Sequence, residues 1–197
     1  MLMNKPFSQA CENNKGPILE LLKAAFADST RVLEIGSGTG QHAVYFAPRL
    51  PHLVWQTSDQ VQYHEGICQW INEEPAANLR MPVTLKIGEQ PLSAFEFDAV
   101  YSANTAHIMQ PEEAKSMMQQ ISACLPAGGV FCQYGPFLHN GKFSSQSNEE
   151  FHHHLLSQGF GGYRDISELE RWAPALQLKT MAPMPANNLL LIWQKAP

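Results

Sequence analysis

The stretch best able to do chemistry is Leu33-Glu34-Ile35-Gly36-Ser37-Gly38-Thr39-Gly40-Gln41-His42, where a short apolar run passes straight into glycines. Glycine lets backbone approach a ligand closely, and in an open α/β sheet the loop after the first strand lies at the binding crevice. Taken alone, the same glycines could form only a tight turn. Asp59 closes the run Trp55-Gln56-Thr57-Ser58-Asp59 further along. A carboxylate at that place can accept hydrogen bonds from both hydroxyls of a ribose, or it can cap a helix starting near Val61. With the glycine loop upstream, ribose binding is the stronger reading. The glycines fall at 36, 38 and 40, whereas a dinucleotide fingerprint G-x-G-x-x-G requires glycine at position 41, which Gln41 occupies. This spacing argues against NAD.

Other residue types suit proton handling. His107 lies three residues beyond Asn104, and a histidine with an ordinary pKa of about 6.5 can take a proton from a nucleophile. The competing role is a backbone hydrogen bond or the opening of a helix. Tyr134, just before Gly135-Pro136, can bond a substrate or simply close the core. His152-His153-His154 is a poor metal site, because adjacent positions on a helix splay around its axis and no second ligand pair is spaced to help. Asn187 and Asn188 fit a hairpin turn better than a binding role. Cys11, Cys68, Cys124 and Cys132 form no C-x-x-C pair, which reads as reduced thiols.

The elements that must position these groups alternate in period. Gly16-Pro17 opens a helical stretch carrying Ile18, Leu21, Leu22, Ala25 and Phe26, and a strand follows over 31–35. A helix through Val44, Phe46 and Ala47 should end near Pro48. Strands are expected over 53–57, 83–87, 97–102 and 130–134, with a helix on the face of Val61, His64, Ile67 and Ile71. Pro111 and Glu112-Glu113 suit the start of another helix, whose core stripe includes Met117 and Met118. Ser147 with Glu150 reads as a capping box. Two final strands, 176–181 and 189–193, are joined by the turn-rich 183–188. Alternating strands and helices imply a three-layer, Rossmann-like, doubly wound and mostly parallel sheet, closed by an antiparallel hairpin.

The 197 residues are 44% apolar and 16% charged, with 13 basic and 18 acidic side chains for a net charge of −5. No linker divides them, so one domain over 1–197 is expected. Without a dense Lys/Arg cluster a nucleic-acid partner is disfavoured, and without an apolar run near 18 residues so is a membrane. The opening MLMNKPFSQACENNK lacks a signal-peptide pattern, which points to the cytoplasm.

An acidic residue followed by G-x-G-x-G, here Glu34-Ile35-Gly36-Ser37-Gly38-Thr39-Gly40, resembles class I S-adenosylmethionine-dependent methyltransferases. Glu12-Asn13-Asn14-Lys15-Gly16-Pro17, Ser102-Ala103-Asn104-Thr105-Ala106-His107, Tyr134-Gly135-Pro136-Phe137 and Met184-Pro185-Ala186-Asn187-Asn188 are similar to segments of the methyltransferase-like protein twenty-six family and its bacterial relatives. The resemblance implies a seven-stranded sheet and S-adenosylmethionine as cofactor, with S-adenosylhomocysteine as product. It further implies that Glu34 and the loop Gly36, Ser37, Gly38, Thr39 and Gly40 wrap the methionine part, that Asp59 holds the ribose, and that Asn104 lies near the sulfonium. Residues 1–28 would form a lid segment and helix, with Glu12 and Asn13 over the cofactor. Many such enzymes carry an acid after the third strand for the adenine amino group. Lys86 cannot accept that bond, which leaves Glu89, backbone or water. Asn104-Thr105-Ala106-His107 departs from the Asn-Pro-Pro-Tyr/Trp of enzymes that methylate base amino groups or glutamine amides, so a small-molecule acceptor is expected. The alternatives are a non-catalytic protein binding the same cofactor and, less favoured, a dinucleotide oxidoreductase.

Overall fold

A computed structural model describes residues 4–197; the first three residues of the expected lid lie outside the described part. The chain runs α1 (Gln9–Ala25), β1 (Arg31–Glu34), α2 (Gln41–Arg49), β2 (Val54–Asp59), α3 (His64–Glu73), β3 (Leu79–Thr84), β4 (Ala99–Ala103), α4 (Pro111–Cys124), β5 (Val130–Gly135), α5 (Gln146–Ser157), α6 (Ile166–Trp172), β6 (Leu176–Met184) and β7 (Asn188–Lys195). Seven strands form one sheet in the order β3-β2-β1-β4-β5-β7-β6. The first five are parallel, and β7 lies antiparallel between β5 and β6. The expected fold class is the one observed.

Two apolar clusters cover the sheet, as a half-buried strand set requires. One packs Ile18, Leu22, Phe46, Trp55, Ile67 and Tyr101 beneath α1–α3. The other packs Leu33, Val100, Met117, Met118, Phe131 and Trp193 beneath α4 and α6. Inward apolar residues on α1–α4 and α6 supply the hydrophobic effect that holds the layers, whereas α5 buries Leu155 and leaves Phe151 and Leu156 largely exposed. Among the described residues no helix is long and apolar enough to cross a membrane.

Several boundaries differ from expectation. Helix α1 begins eight residues before Pro17, because Ser8 Oγ accepts the Cys11 N–H at 3.3 Å and Glu12 faces the positive end of the helix. Pro17 sits inside it, tolerated because Pro17 and Asn13, whose carbonyl loses its partner, are both exposed to water. Strand β3 starts at Leu79, where it pairs with Trp55, and carries Pro82 at the sheet edge, where a missing donor is harmless. Helix α5 is capped by Ser145, whose Oγ accepts the Asn148 N–H at 3.1 Å, in place of the Ser147–Glu150 box. Helix α6, capped by Asp165, has only seven residues and left no readable period.

Candidate functional site

The C-terminal ends of β1, β2 and β4 meet at the glycine loop, and local bonds explain its shape. Ser37 N–H donates to the Ser58 carbonyl at 2.8 Å, and Ser37 Oγ accepts the Ser58 N–H at 3.0 Å, so the loop is stitched to β2. Gly38 N–H donates to Asp59 Oδ2 at 2.8 Å, while Asp59 Oδ1 accepts the Gln60 N–H at 2.7 Å. Asp59 thus braces the glycine loop, and its carboxylate ties the two strand ends together. Burial raises the pKa of Asp59, opposed by the bonds from Gly38 and Gln60.

All three glycines are left-handed, with φ of 74°, 61° and 93° at Gly36, Gly38 and Gly40. They are not equivalent. A Cβ at Gly36 would meet Thr105 Cγ2 at 2.6 Å and one at Gly40 would meet the Ile67 backbone at 3.1 Å, whereas one at Gly38 would enter open space. Gly38 lines a cleft of about 310 Å³ with Asp59, Gln60, Lys86, Asn104 and Met109, among others, and also a neighbouring cavity of about 370 Å³ with Pro6, Thr39 and Tyr63. Asn104, a non-glycine residue with φ of 56°, is fixed at the cleft by its N–H on the Tyr134 carbonyl at 2.9 Å.

Beside the cleft, Glu34 is buried and burial pushes its carboxyl up to about 7, opposed by bonds from Ser37 and Trp55. At the β3 end Lys86 lines the cleft and its Nζ donates to Glu89 Oε1 at 2.7 Å, an exposed ion pair. Gln60, which sequence reasoning did not single out, is the amide lining that end.

His107 is buried, with Phe151 and Tyr163 at ring-centroid distances of 6.0 and 6.2 Å. Among the described residues no group hydrogen-bonds its ring. Desolvation alone lowers its pKa to about 4, well under the ordinary value used in reading the sequence. His152 Nδ1 accepts the Tyr163 N–H at 3.0 Å, so one member of the histidine run braces the backbone. All four cysteines are free thiols.

The N-terminal segment is bound firmly beside the glycine loop. The Gln41 amide accepts the Ser8 N–H at 2.6 Å and donates to the Ser8 carbonyl at 3.2 Å and to Glu12 Oε1 at 2.8 Å. The residue that breaks the dinucleotide spacing is therefore the clasp of this segment. Glu12 also pairs with Lys15. Asn13 is exposed and accepts from Gln9 Nε2 at 2.9 Å; it is Asn14 that turns inward. Sequence reasoning missed Asn14, although on a helix starting at Gln9 it shares the face of Ile18 and Leu22. Tyr134, with its ring buried, receives a hydrogen bond from Asn188 Nδ2 at 3.1 Å.

A parallel sheet ending in an antiparallel hairpin, with a glycine loop after β1 and a carboxylate at the end of β2, is a fold shared with solved S-adenosylmethionine-dependent methyltransferases. The structure is similar to an O-methyltransferase family 2 protein from Planctomyces limnophilus in complex with apigenin, at 15% identity and TM-score 0.83 over 95% of this chain and 58% of that one. It is also similar to human N-acetylserotonin methyltransferase in complex with SAM, at 13% identity and TM-score 0.75 over 95% and 58%. A third likeness is to PigF with SAH, at 18% identity and TM-score 0.70 over 95% and 68%. The chain spans less than three fifths of the length of the first two. Within this fold, residues 5–195 match one family over almost the whole chain, and the protein belongs to it: the family described as Protein of unknown function (DUF938).

Proposed function

We propose that this protein binds S-adenosylmethionine and transfers its methyl group directly to a small molecule. The observation that carries the reading is Gly38, whose amide is held by Asp59 while its Cα face opens on the cleft, a cradle any Cβ would begin to fill. The cofactor supplies an electrophilic methyl group when bound. Asp59 accepts hydrogen bonds from the ribose hydroxyls through lone pairs left by Gly38 and Gln60. Gly36, Ser37, Gly38, Thr39 and Gly40 give close backbone contact, with Glu34 beneath them, and Asn104 faces the reacting end. The family likeness to methyltransferase-like protein twenty-six supports the same assignment. Residues 1–28 act as a lid on a single unit over 1–197, with Glu12 fixed to Gln41 and Asn13 on the outer face of the helix.

For such a transfer the chain's main tasks are to align two partners and exclude water. His107 is the group able to accept a proton from a hydroxyl, thiol or amine. Its apolar surroundings keep it neutral through the physiological range, so it is always free to accept, at the cost of basicity. The experiment is a panel of small molecules with methyl-labelled S-adenosylmethionine. On an accepted substrate His107→Asn should lower the methylation rate by about 100-fold or more with little change in cofactor affinity. The wild-type acid limb should fall near pH 4 and vanish in the variant. An unchanged rate and acid limb would leave alignment as the whole of catalysis; absence of labelled product across the panel would count against methyl transfer.

A further inference from the structure

The turn that follows β5 carries two basic side chains that the cofactor reading does not use. His139 and Lys142 exchange both backbone hydrogen bonds at 3.1 Å, and the residues between them, Asn140 and Gly141, are left-handed with φ of 54° and 73°. Positive φ at both central positions marks a two-residue hairpin turn of type I′. Residues that exchange both bonds stand opposite each other on one face, about 5 Å apart at Cβ, so His139 and Lys142 project together. Asp165 pins this turn, its Oδ2 accepting the Gly141 N–H at 2.6 Å. Its Oδ1 accepts the Ser167 N–H and hydroxyl at 2.9 and 2.8 Å, and its negative charge also acts on His139. Among the described residues Lys142 has no ion pair. Two basic side chains held side by side with one cation unpaired oppose folding unless an anion joins them.

Both side chains line a cavity of about 470 Å³ whose other walls include Phe137, Phe143, Met181 and Leu189. Its volume is in the range of small-molecule sites. Among the described residues no Asp or Glu lines it, in a chain of net charge −5. Of those four apolar side chains only Met181 is exposed, so the apolar surface lies inside a concavity and not on an open face that a protein would cover. Phe143 is backed by the Tyr163 ring at 6.0 Å. Phe137 brings the cavity near the site described above, since a Cβ on Gly135 would lie 3.8 Å from both Phe137 Cε2 and His107 Nδ1. We propose that this cavity binds a small organic anion: a carboxylate on an aromatic body, the acid held by Lys142 Nζ with the His139 ring beside it, the body against Phe137, Phe143 and Met181. An ammonium and an imidazole side by side match the two oxygens of a carboxylate, and rings with a methionine suit a flat apolar body. The inference stands apart from the cofactor reading, because no residue of this cavity lines the cleft at Gly38 and Asp59.

The test titrates the full chain, carrying labelled methionine methyl groups, with 2-naphthylacetate and with its uncharged counterpart 2-naphthylacetamide in a nuclear magnetic resonance experiment. The acid should bind about 10-fold more tightly than the amide and should move the Met181 methyl signal, identified by its loss in Met181→Leu. The Met109 methyl, which belongs to the other cleft, should stay in place. Lys142→Gln, a change at an exposed turn residue, should weaken the acid about 10-fold and the amide by less than about 2-fold. Equal affinity for acid and amide, undiminished acid binding by Lys142→Gln, or an unmoved Met181 signal at millimolar acid would overturn the inference. Neither probe carries a nucleoside, so such a result leaves the cofactor reading as it was.

Discussion

The glycine loop and the region of β4 and the final hairpin make their tight turns with opposite kinds of residue. On the glycine-loop side, left-handed backbone is carried by Gly36, Gly38 and Gly40; on the side of β4 and the final hairpin it is carried by Asn104, Ala186 and Asn187, with φ of 56°, 56° and 58°. Glycine adopts this conformation freely, whereas an L-residue there costs roughly 1–2 kcal/mol. One side needs the absence of a side chain, to let Gly36 pass Thr105 and to leave room beside Gly38. The other keeps side chains at these positions and tolerates the strain. Asn104 lines the cleft, and the Asn187 carbonyl accepts from Asn148 Nδ2 at 3.1 Å in the turn that delivers Asn188 to Tyr134. Strain of this sort persists only where surrounding contacts over-determine it, and it concentrates at functional sites.

Filling the empty side should have the largest effect. Gly38→Val should abolish S-adenosylhomocysteine binding, a loss above about 100-fold, while the circular dichroism spectrum stays that of the wild type, because a branched side chain occupies the ligand's space. Normal binding by this variant would break the contrast. Next, Asp59→Ala should weaken cofactor affinity about 10-fold to 100-fold, the worth of hydrogen bonds to a charged acceptor. If calorimetry gives unchanged affinity and only the melting temperature falls, Asp59 is a brace for Gly38 and no more.

A pH effect separates the buried groups. Glu34 has its pKa raised to about 7, so what it adds to stability is complete below its unfolded value near 4.5 and is lost as pH rises through 7. The loss is about 3 kcal/mol at high pH. His42 and His107, both lowered to about 4, run the other way, adding stability above about pH 6.5 that is lost as pH falls toward 4. The two histidines raise stability over the same range in which Glu34 lowers it, so the variant is read against the wild type. Glu34→Gln should gain denaturant stability relative to the wild type as pH rises from 5 to 8, with the acid-side loss kept in both. A difference between the two that does not change with pH would show Glu34 ionising normally. The smallest effect is expected on the strained side, where Ala186→Gly relieves a left-handed alanine and should raise stability by up to about 1 kcal/mol in urea unfolding. A destabilised variant would mean that the alanine side chain, and not the turn, is what the hairpin uses.

The same contrast explains what could be read from the amino acids alone. Glycine spacing and a carboxylate at a strand end are local signals, so the loop from Gly36 to Gly40 and Asp59 were legible. The order of elements was legible too, since helical and strand periods alternate over most of the chain. Strand β3 was misplaced because its start is set by pairing with Trp55, and α6 was missed because two turns of helix show no period. Asn14, His42 and Tyr101 stand on three different elements and meet only when α1 folds over the sheet, so nothing in their spacing announces them. The low pKa of His107 likewise depends on burial beside Phe151 and Tyr163, rings contributed from far along the chain.

Titration calorimetry of the unmodified protein with S-adenosylhomocysteine, run beside NADH, reaches the central claim most directly. The glycine spacing, the clasp at Gln41 and the Asp59 brace together predict a saturable heat with S-adenosylhomocysteine and none with NADH. No heat with S-adenosylhomocysteine at millimolar concentration, or tighter binding of NADH, would contradict the assignment.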